Sequence, residues 1–332
     1  MEFGQAVNTQ HDEIQKRLDQ KAGRKNIFRR MVPFAGLLFV FLFFLIVTNG
    51  ALIKSDNLRN IINQCFTVTV VVIGATFVYS MGMFDISIGA VMAVSQLVIA
   101  FAIKAGGIPV PVLILIGIVV AVGITAITSI VTSVLKVPTF IATFCLMYLC
   151  NGIVITVTTK QKMIIPLAEY NYLNNPAIKA IALAIVLVIG FTIYYKTRLG
   201  RDVKAMGGNE IAAVQSGIKK VKTYTLAFAC LGVCVGVAAF FSLMRTSQVT
   251  ASSGSGLGLN ILVAFVLGGF PLTGGANSRM LNAIVGALTI ILLQNGLMII
   301  SMDSQFNLFL QAIMLIVVVA ISYDRSKGRF VK

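Results

Sequence analysis

Acidic side chains are scarce in this sequence: 11 Asp and Glu stand against 27 Lys and Arg in 332 residues, and only 11% of positions are charged. A soluble domain carries about 25%. Hydrophobic residues make up 58% and the mean hydropathy is +0.93, more apolar surface than a soluble fold of this length can bury. A water-soluble enzyme is therefore excluded, and low Gly and Pro exclude a collagen-like chain. Histidine is almost absent. The single one, His11, lies in a polar leading segment, which excludes a His-based metal site or catalytic triad. The cysteines Cys65, Cys145, Cys150, Cys230 and Cys234 all lie in apolar runs, with no zinc partners beside the Cys230–Cys234 pair, and read as small packing residues. No G-x-x-x-x-G-K-[ST] occurs, so no P-loop hydrolyses ATP here. No basic patch interleaved with aromatics occurs either, which argues against nucleic acid.

What is present is a series of long uncharged runs. Ten stretches of at least 16 residues contain no charged side chain: 31–53, 60–84, 86–103, 105–135, 137–159, 180–195, 223–244, 246–278, 280–302 and 304–323. About 20 apolar residues span a bilayer core as a helix. The runs are continuously apolar rather than alternating, which excludes a β-barrel and leaves helices to satisfy the backbone in lipid. The fold class is all-α: a polytopic integral membrane protein of about ten helices, or eight to nine if a stretch is re-entrant. Residues 1–30 form a polar tail whose composition favours disorder over an interfacial helix through Ile14 and Leu18. Residues 31–323 form the membrane domain and 324–332 a basic tail. With both ends cytosolic and ten crossings, twenty of the 27 basic residues fall inside and seven outside, as the positive-inside rule requires.

Two places break the apolar pattern. Asp85 is the only charge in the 44 residues from Asn60 to Ile103, flanked by Gly82 and Gly89. An intramembrane carboxylate costs at least about 2.5–3.5 kcal/mol and needs a partner or a use. It reads either as a helix break beside a translocation path or as a cap on the following helix. The second place is 197–222, a long polar connection for a helical bundle. From Asn209 it reads as a short helix: Asn209 caps it, Ile211, Ala212 and Val214 give it an apolar side, and Gly217 closes it. Such a helix, between glycine turns, suits docking into a groove of another protein. The run Gly268–Gly275 has no phosphate-binding lysine and reads as close helix packing or a broken helix.

These residues resemble the permeases of ABC importers of the ribose/xylose/arabinose sugar class, within the branched-chain amino-acid permease superfamily. The coupling loop of that class is close to T-x-x-G-R-x-x-x-A-x-G-G-N-x-x-A-A-x-x-S-G-I. Here Thr197, Gly200, Arg201, Ala205, Gly207, Gly208, Asn209, Ala212, Ala213, Ser216, Gly217 and Ile218 match it. Phe84–Gly89 is similar to the family's I-D-L-S-V-G, Val137–Thr143 with Met147-Tyr148 to its I-P-P-F-I-A-T…M-Y, and Val266–Gly269 with Gly274-Gly275 to V-L-G-G-T-S-L-x-G-G. Two departures stand out. Gly258 and Asn260 occupy positions where the family tends to carry Glu-x-Asp, and Phe270-Pro271 replaces Thr-Ser.

The resemblance implies a transport subunit rather than an enzyme, in a bacterial plasma (inner) membrane. It binds no cofactor itself; Mg-ATP is used by two ATPase subunits, or one fused tandem ATPase. The other implied partners are a second permease subunit, identical or not, an external solute-binding protein, and the bilayer. Arg198, Gly200, Arg201, Gly207, Gly208, Asn209, Glu210, Ala213, Ser216 and Gly217 are expected to couple to the ATPase. Asp85, Ser87, Gln64, Asn151 and Asn295 are the candidates for the solute pathway. The solute expected is a pentose, hexose or sugar-like molecule, with a nucleoside, autoinducer-2 or a branched-chain amino acid as alternatives. An ion-coupled secondary transporter using Asp85 is the rival from another class.

Overall fold

The computed structural model describes residues 31–166 and 170–300, with the isolated positions 309, 313 and 316. The expected tails, 1–30 and 324–332, and all of the stretch 304–323 except those three positions lie outside the described residues. Among the described residues eleven continuous α-helices follow one another: α1 (Met31–Val47), α2 (Ser55–Tyr79), α3 (Ile88–Ala105), α4 (Val110–Ser133), α5 (Thr139–Lys160), α6 (Pro176–Lys196), α7 (Arg198–Gly208), α8 (Glu210–Gln215), α9 (Lys220–Thr246), α10 (Leu257–Leu267) and α11 (Met280–Ile299). Seven of them are long and apolar enough to cross a membrane: α2 to α6, α9 and α11. The chain is therefore an all-α, multi-pass membrane protein. A two-residue antiparallel pair, β1 (Met163–Ile164) with β2 (Gln248–Val249), is the exception to the helical pattern.

Close contacts fix which ends lie together. Lys104, at the end of α3, donates to the Lys162 carbonyl beyond α5 at 2.9 Å. Asn174, ahead of α6, donates to the Met244 carbonyl of α9 at 2.9 Å. The start of α2 joins this β1–β2 end, because Lys179 in the first turn of α6 donates to Asn63 Oδ1 at 2.7 Å and to Asn174 Oδ1 at 3.1 Å. The opposite end gathers α7, α8, the last turns of α2 and α6, and the turn before α11. At that end α1 begins with Pro33 beside Gly269, and it finishes with Phe44 packed on Gly296 near the end of α11.

The uncharged stretch 246–278 does not form one spanning helix. It holds β2, a run of turns and then α10, whose 11 residues reach only about 16 Å at 1.5 Å per residue. Gly254, Gly256, Gly269, Gly274 and Gly275 all take positive φ, a conformation that ends a helix, and Pro271 lies among them. The expected Gly-rich run, 268–275, is the turn that leads from α10 to α11, and the stretch itself is interrupted earlier, in the turns between β2 and α10.

α2, α3, α9 and α11 form the buried centre, while α4, α5 and α6 present most of their surface outward. Lipid is as apolar as leucine, so nothing expels these helices from it into one another; close backbone approach at small residues supplies the attraction. Gly232 and Gly236 of α9 lie on the backbone of α4 at Val122 and Ile118. Gly74 of α2 meets Cys230 and Cys234 of α9, so both cysteines are packing residues at that contact. All five cysteines are free. Gly268 and Gly286 lock α10 to α11, a Cβ on either falling on the other helix's carbonyls at Asn282 and Ala264. Replacing Gly286 by Leu is expected to separate α10 from α11 and cost about 1–3 kcal/mol, the usual penalty for overpacking. Gly123→Leu, where nothing stands within 4 Å, serves as the neutral control. Thermal unfolding of the two purified variants in detergent checks this: the first should melt several degrees early and the second with the parent.

Candidate coupling site and translocation elements

The polar connection after α6 is helical from its first residues. α7 starts at Arg198 and runs through Gly207-Gly208, so the paired glycines end a helix where a turn was expected. Their role is close approach: Gly207 lies against the Ser80 carbonyl and the Gly275 nitrogen, and Gly200 against the Tyr194 carbonyl. Gly200, Val203 and Met206 recur at helical spacing along the buried side of α7. On that side Lys204 Nζ sits over the rings of Tyr194 and Tyr195, at 4.2 and 4.7 Å from their centroids. Burial, and then Arg279, hold this lysine below its ordinary pKa.

α8 forms where its local signals place it. The Asn209 side chain accepts from Ala212 N at 3.1 Å, an N-cap. Gly217 takes φ +91° and closes the helix, with Ile218 N donating to Ala213 O at 3.2 Å and Gly217 N to Val214 O at 3.0 Å. That pair of bonds is the Schellman pattern, which needs a left-handed residue at this position. Ile211 is 73% exposed, and Ala212 and Val214 are exposed beside it. Ala213 is buried and faces the chain's own body, so its place among outward coupling contacts is corrected. Gly200 and Gly207 point inward in the same way. Arg198, Arg201, Gly208, Asn209, Glu210, Ser216 and Gly217 are exposed. Glu210 does more than face outward: it pairs with Lys220 at 2.5 Å and accepts from Tyr224 Oη at 3.1 Å, clamping α8 to the start of α9.

Below α7 lies a polar junction. The Ser80 carbonyl accepts from Gly275 N at 2.9 Å, and Ser80 Oγ lies 2.7 Å from Tyr194 Oη. Tyr194 Oη donates to the Ser278 carbonyl at 3.0 Å, so Ser80 supplies the hydrogen in the other bond. Tyr195 Oη accepts from Met280 N at 3.2 Å, at the first residue of α11. Neither Tyr194 nor Ser80 was singled out from sequence. Each is an ordinary residue in or beside an apolar run, and only the paired tyrosines just ahead of the basic loop hint at a junction.

From Ser80 the chain turns back into the bundle as 81–87 before α3 begins. Asp85 and Ser87 there are fully buried in this conformation. Asp85 Oδ1 accepts from Ser87 N at 2.7 Å and Ser87 Oγ at 2.6 Å, an Asx turn rather than a helix cap. Oδ2 has no partner among the described residues. The ring series Phe84, Tyr79, Phe265 and Phe270 ties this turn to α10, with successive centroids 5.2, 4.2 and 4.8 Å apart. Gly258 presses on the Ile86 carbonyl, which leaves no room for a side chain at 258. The two amide candidates Gln64 and Asn295 come together: Asn295 Nδ2 donates to Gln64 Oε1 at 2.8 Å across α2 and α11. Asn151 stays apart on the outer helix α5. Lys179 lies buried within the first turn of α6.

A polar two-helix segment, α7 and α8, thus covers one end of a bundle of long apolar helices. The profile of the permease component of branched-chain amino acid transport systems matches residues 57–319. The chain belongs to this permease family. Among curated relatives, the ribose import permease of Bacillus subtilis (strain 168) is 28% identical over 91% of this chain and 94% of its own. The ribose import permease of Escherichia coli (strain K12) is 28% identical, over 82% and 86%. The D-allose transport system permease of the same organism is 25% identical, over 83% and 86%. No solved structure gives a significant match.

For this permease, Tyr194→Phe should strip the junction of two hydrogen bonds and leave Ser80 Oγ without its partner, at about 1–3 kcal/mol. The expected outcome is a lower melting temperature together with faster amide exchange in α7. Glu210→Ala should instead speed exchange only in residues 210–218, leaving the spans protected. Exchange mass spectrometry on the purified permease reads both, and equal patterns in the two variants would sink the separation between junction and clamp.

Proposed function

We propose that this permease is the membrane subunit of an ABC importer for a sugar or sugar-like solute. The observation that carries the reading is α8: a capped helix holding Ala213 inward while Ile211, Ala212 and Val214 stand exposed. An apolar strip on an otherwise polar segment fits the groove of a partner ATPase. The relatives named for ribose and D-allose align over most of this chain, and they favour a sugar over a branched-chain amino acid.

In this reading the α7–α8 end is cytosolic and both termini join it. Ten crossings result from α1 to α6, α9, the divided crossing through α10, α11 and the stretch 304–323. Residues 1–30 and 324–332 are cytosolic tails, 31–323 the permease domain with coupling loop 197–222, and the setting is a bacterial inner membrane. Two ATPase subunits, or one tandem ATPase, use Mg-ATP below; a second permease subunit completes the passage; an external binding protein delivers the solute. This chain holds no cofactor of its own.

The mechanism follows from how the segment is fastened. Movement of the ATPases displaces α8, and the Glu210 clamp passes the displacement to α9. α7 passes it through Gly207 to Ser80, where α2 ends and the returning turn begins. A nucleotide state drives transport only if it binds one arrangement of the bundle better than the other, so these rigid fastenings supply the coupling free energy.

Ile211→Arg tests the docking. ATPase co-purifying with the permease should fall at least about tenfold, since a charge buried in an apolar groove costs more than the 1.4 kcal/mol that tenfold represents. The permease's own melting temperature should not move, and undiminished co-purification would remove the docking role. Ala213 substitutions are unsuitable, because they disturb internal packing. The solute is tested by thermal shift of the binding protein encoded beside the permease, against pentoses, hexoses, nucleosides, autoinducer-2 and branched-chain amino acids. A shift with a sugar is expected; shifts confined to amino acids or nucleosides would keep the importer and discard the sugar.

A further inference from the structure

Between β2 and α10 the chain reads Thr250-Ala251-Ser252-Ser253-Gly254-Ser255-Gly256, four hydroxyls in seven residues with no regular helix. Its depth follows from two contacts. Gly254 lies on the backbone of Gly89, each so near that a Cβ on one would fall on the carbonyl of the other. Gly89 is 16 residues from the end of α3 at Ala105, so the contact lies about 24 Å along that helix from the β1–β2 end. α10 then carries the chain about 16 Å onward to the α7–α8 end. The loop therefore leaves the β1–β2 end at Thr250, directly after β2, and reaches deep into the membrane-spanning bundle by Gly254, with Ser252 and Ser255 on either side of that point.

At that depth an irregular polar segment cannot face lipid; it persists only where protein buries it or where it lines a water-filled cavity. This one is not buried by its own chain: Ala251, Ser252 and Ser255 are exposed, and Thr250, Ser253, Gly254 and Gly256 are half-buried. Part of its bonding is internal. Ser253 Oγ accepts from Thr250 N at 2.9 Å, and Thr250 Oγ1 and Ser252 Oγ are 3.1 Å apart. Just beyond, on the first turn of α10, Asn260 Oδ1 is buried without a partner among the described residues. An apolar seam between two permease copies would leave such hydroxyls unmatched.

We infer that the Thr250–Gly256 loop lines the solute passage near the middle of the membrane, and that Ser252 and Ser255 hydrogen-bond a polyhydroxylated solute as it passes. The inference rests on the importer reading and adds the residues that touch the solute. Hydroxyls that both donate and accept suit a passing polyol, because each contact can be exchanged for the next without stranding a charge.

Cysteine accessibility tests it in the complete transporter, in cells. Ser252→Cys and Ser255→Cys, with Ala251→Cys should either fold poorly, are treated with a membrane-impermeant charged methanethiosulfonate. Such a reagent needs a hydrated thiolate, so labelling at least about tenfold faster than at Ile153→Cys on the outward face of α5 is expected. Added D-ribose or D-galactose should slow it. Labelling no faster than at position 153, in energised and de-energised cells alike, would mean that a partner copy covers the loop and would overturn the inference. Fast labelling slowed by leucine and by neither sugar would keep the passage, overturn the recognition of a polyol, and count separately against the sugar assignment.

Discussion

One carbonyl group organises the end of this bundle that α7 and α8 cover. The Ser80 oxygen accepts from Gly275 N at 2.9 Å, and Gly207 and Gly274 press against it so closely that neither position admits a Cβ. Four parts of the chain meet there: the end of α2, the coupling helix α7, the turn before α11 and, through Tyr194 and Ser80 Oγ, the end of α6. Contacts of this kind are stiff. A backbone-to-backbone approach has no rotamer to absorb a displacement, so what moves α7 must move Ser80 or break the contact. The glycines therefore make this end of the bundle stiff rather than slack.

The same rule governs the membrane interior. With no solvent to expel apolar helices from lipid, the centre is assembled by close approach at small residues and by a few hydrogen bonds. Gly232 and Gly236 seat α9 on α4, and Gly74 seats α2 on the cysteines of α9. Asn295 on Gln64 and Lys179 on Asn63 are the polar fastenings. Both link α2 to a neighbour, and both lie toward the β1–β2 end. The two ends of α2 are thus held differently: by side-chain amides and an ammonium group at one, by close backbone contacts and the Ser80–Tyr194 hydroxyl pair at the other.

The spans were legible because lipid tolerates so little charge; the uncharged runs predict α2 to α6, α9 and α11 to within a few residues. α8 was legible because its caps are local: Asn209 and Gly217 act within one turn of themselves, and no distant contact is needed to place them. The run 246–278 misleads for the opposite reason. Serine and glycine carry no charge, so a window reading sees an uninterrupted span where the backbone turns several times. Ser80 carries no sequence signal and Tyr194 only its pairing with Tyr195, since their importance comes from residues nearly two hundred positions apart meeting at one point. Ala213 looked like part of an exposed surface, and only the packing of α8 on the body turns it inward.

Gly258 bears on what kind of passage this is. The family tends to carry an acidic pair at the positions of Gly258 and Asn260, and here the first cannot hold any side chain without displacing the Ile86 carbonyl. The turn at Ile86 and the first turn of α10 are consequently closer than a carboxylate would permit. The remaining carboxylate, Asp85, is folded onto Ser87 and fully buried. Among the described residues, the Thr250–Gly256 loop exposes the hydroxyls of Ser252 and Ser255. A solute handed in by a binding protein and driven through by ATP gains nothing from a deep binding well, which would only slow its release. Glycine at 258 lets the turn at Ile86 and the first turn of α10 touch, so the packing that closes the bundle here is the same contact that excludes a carboxylate from the position.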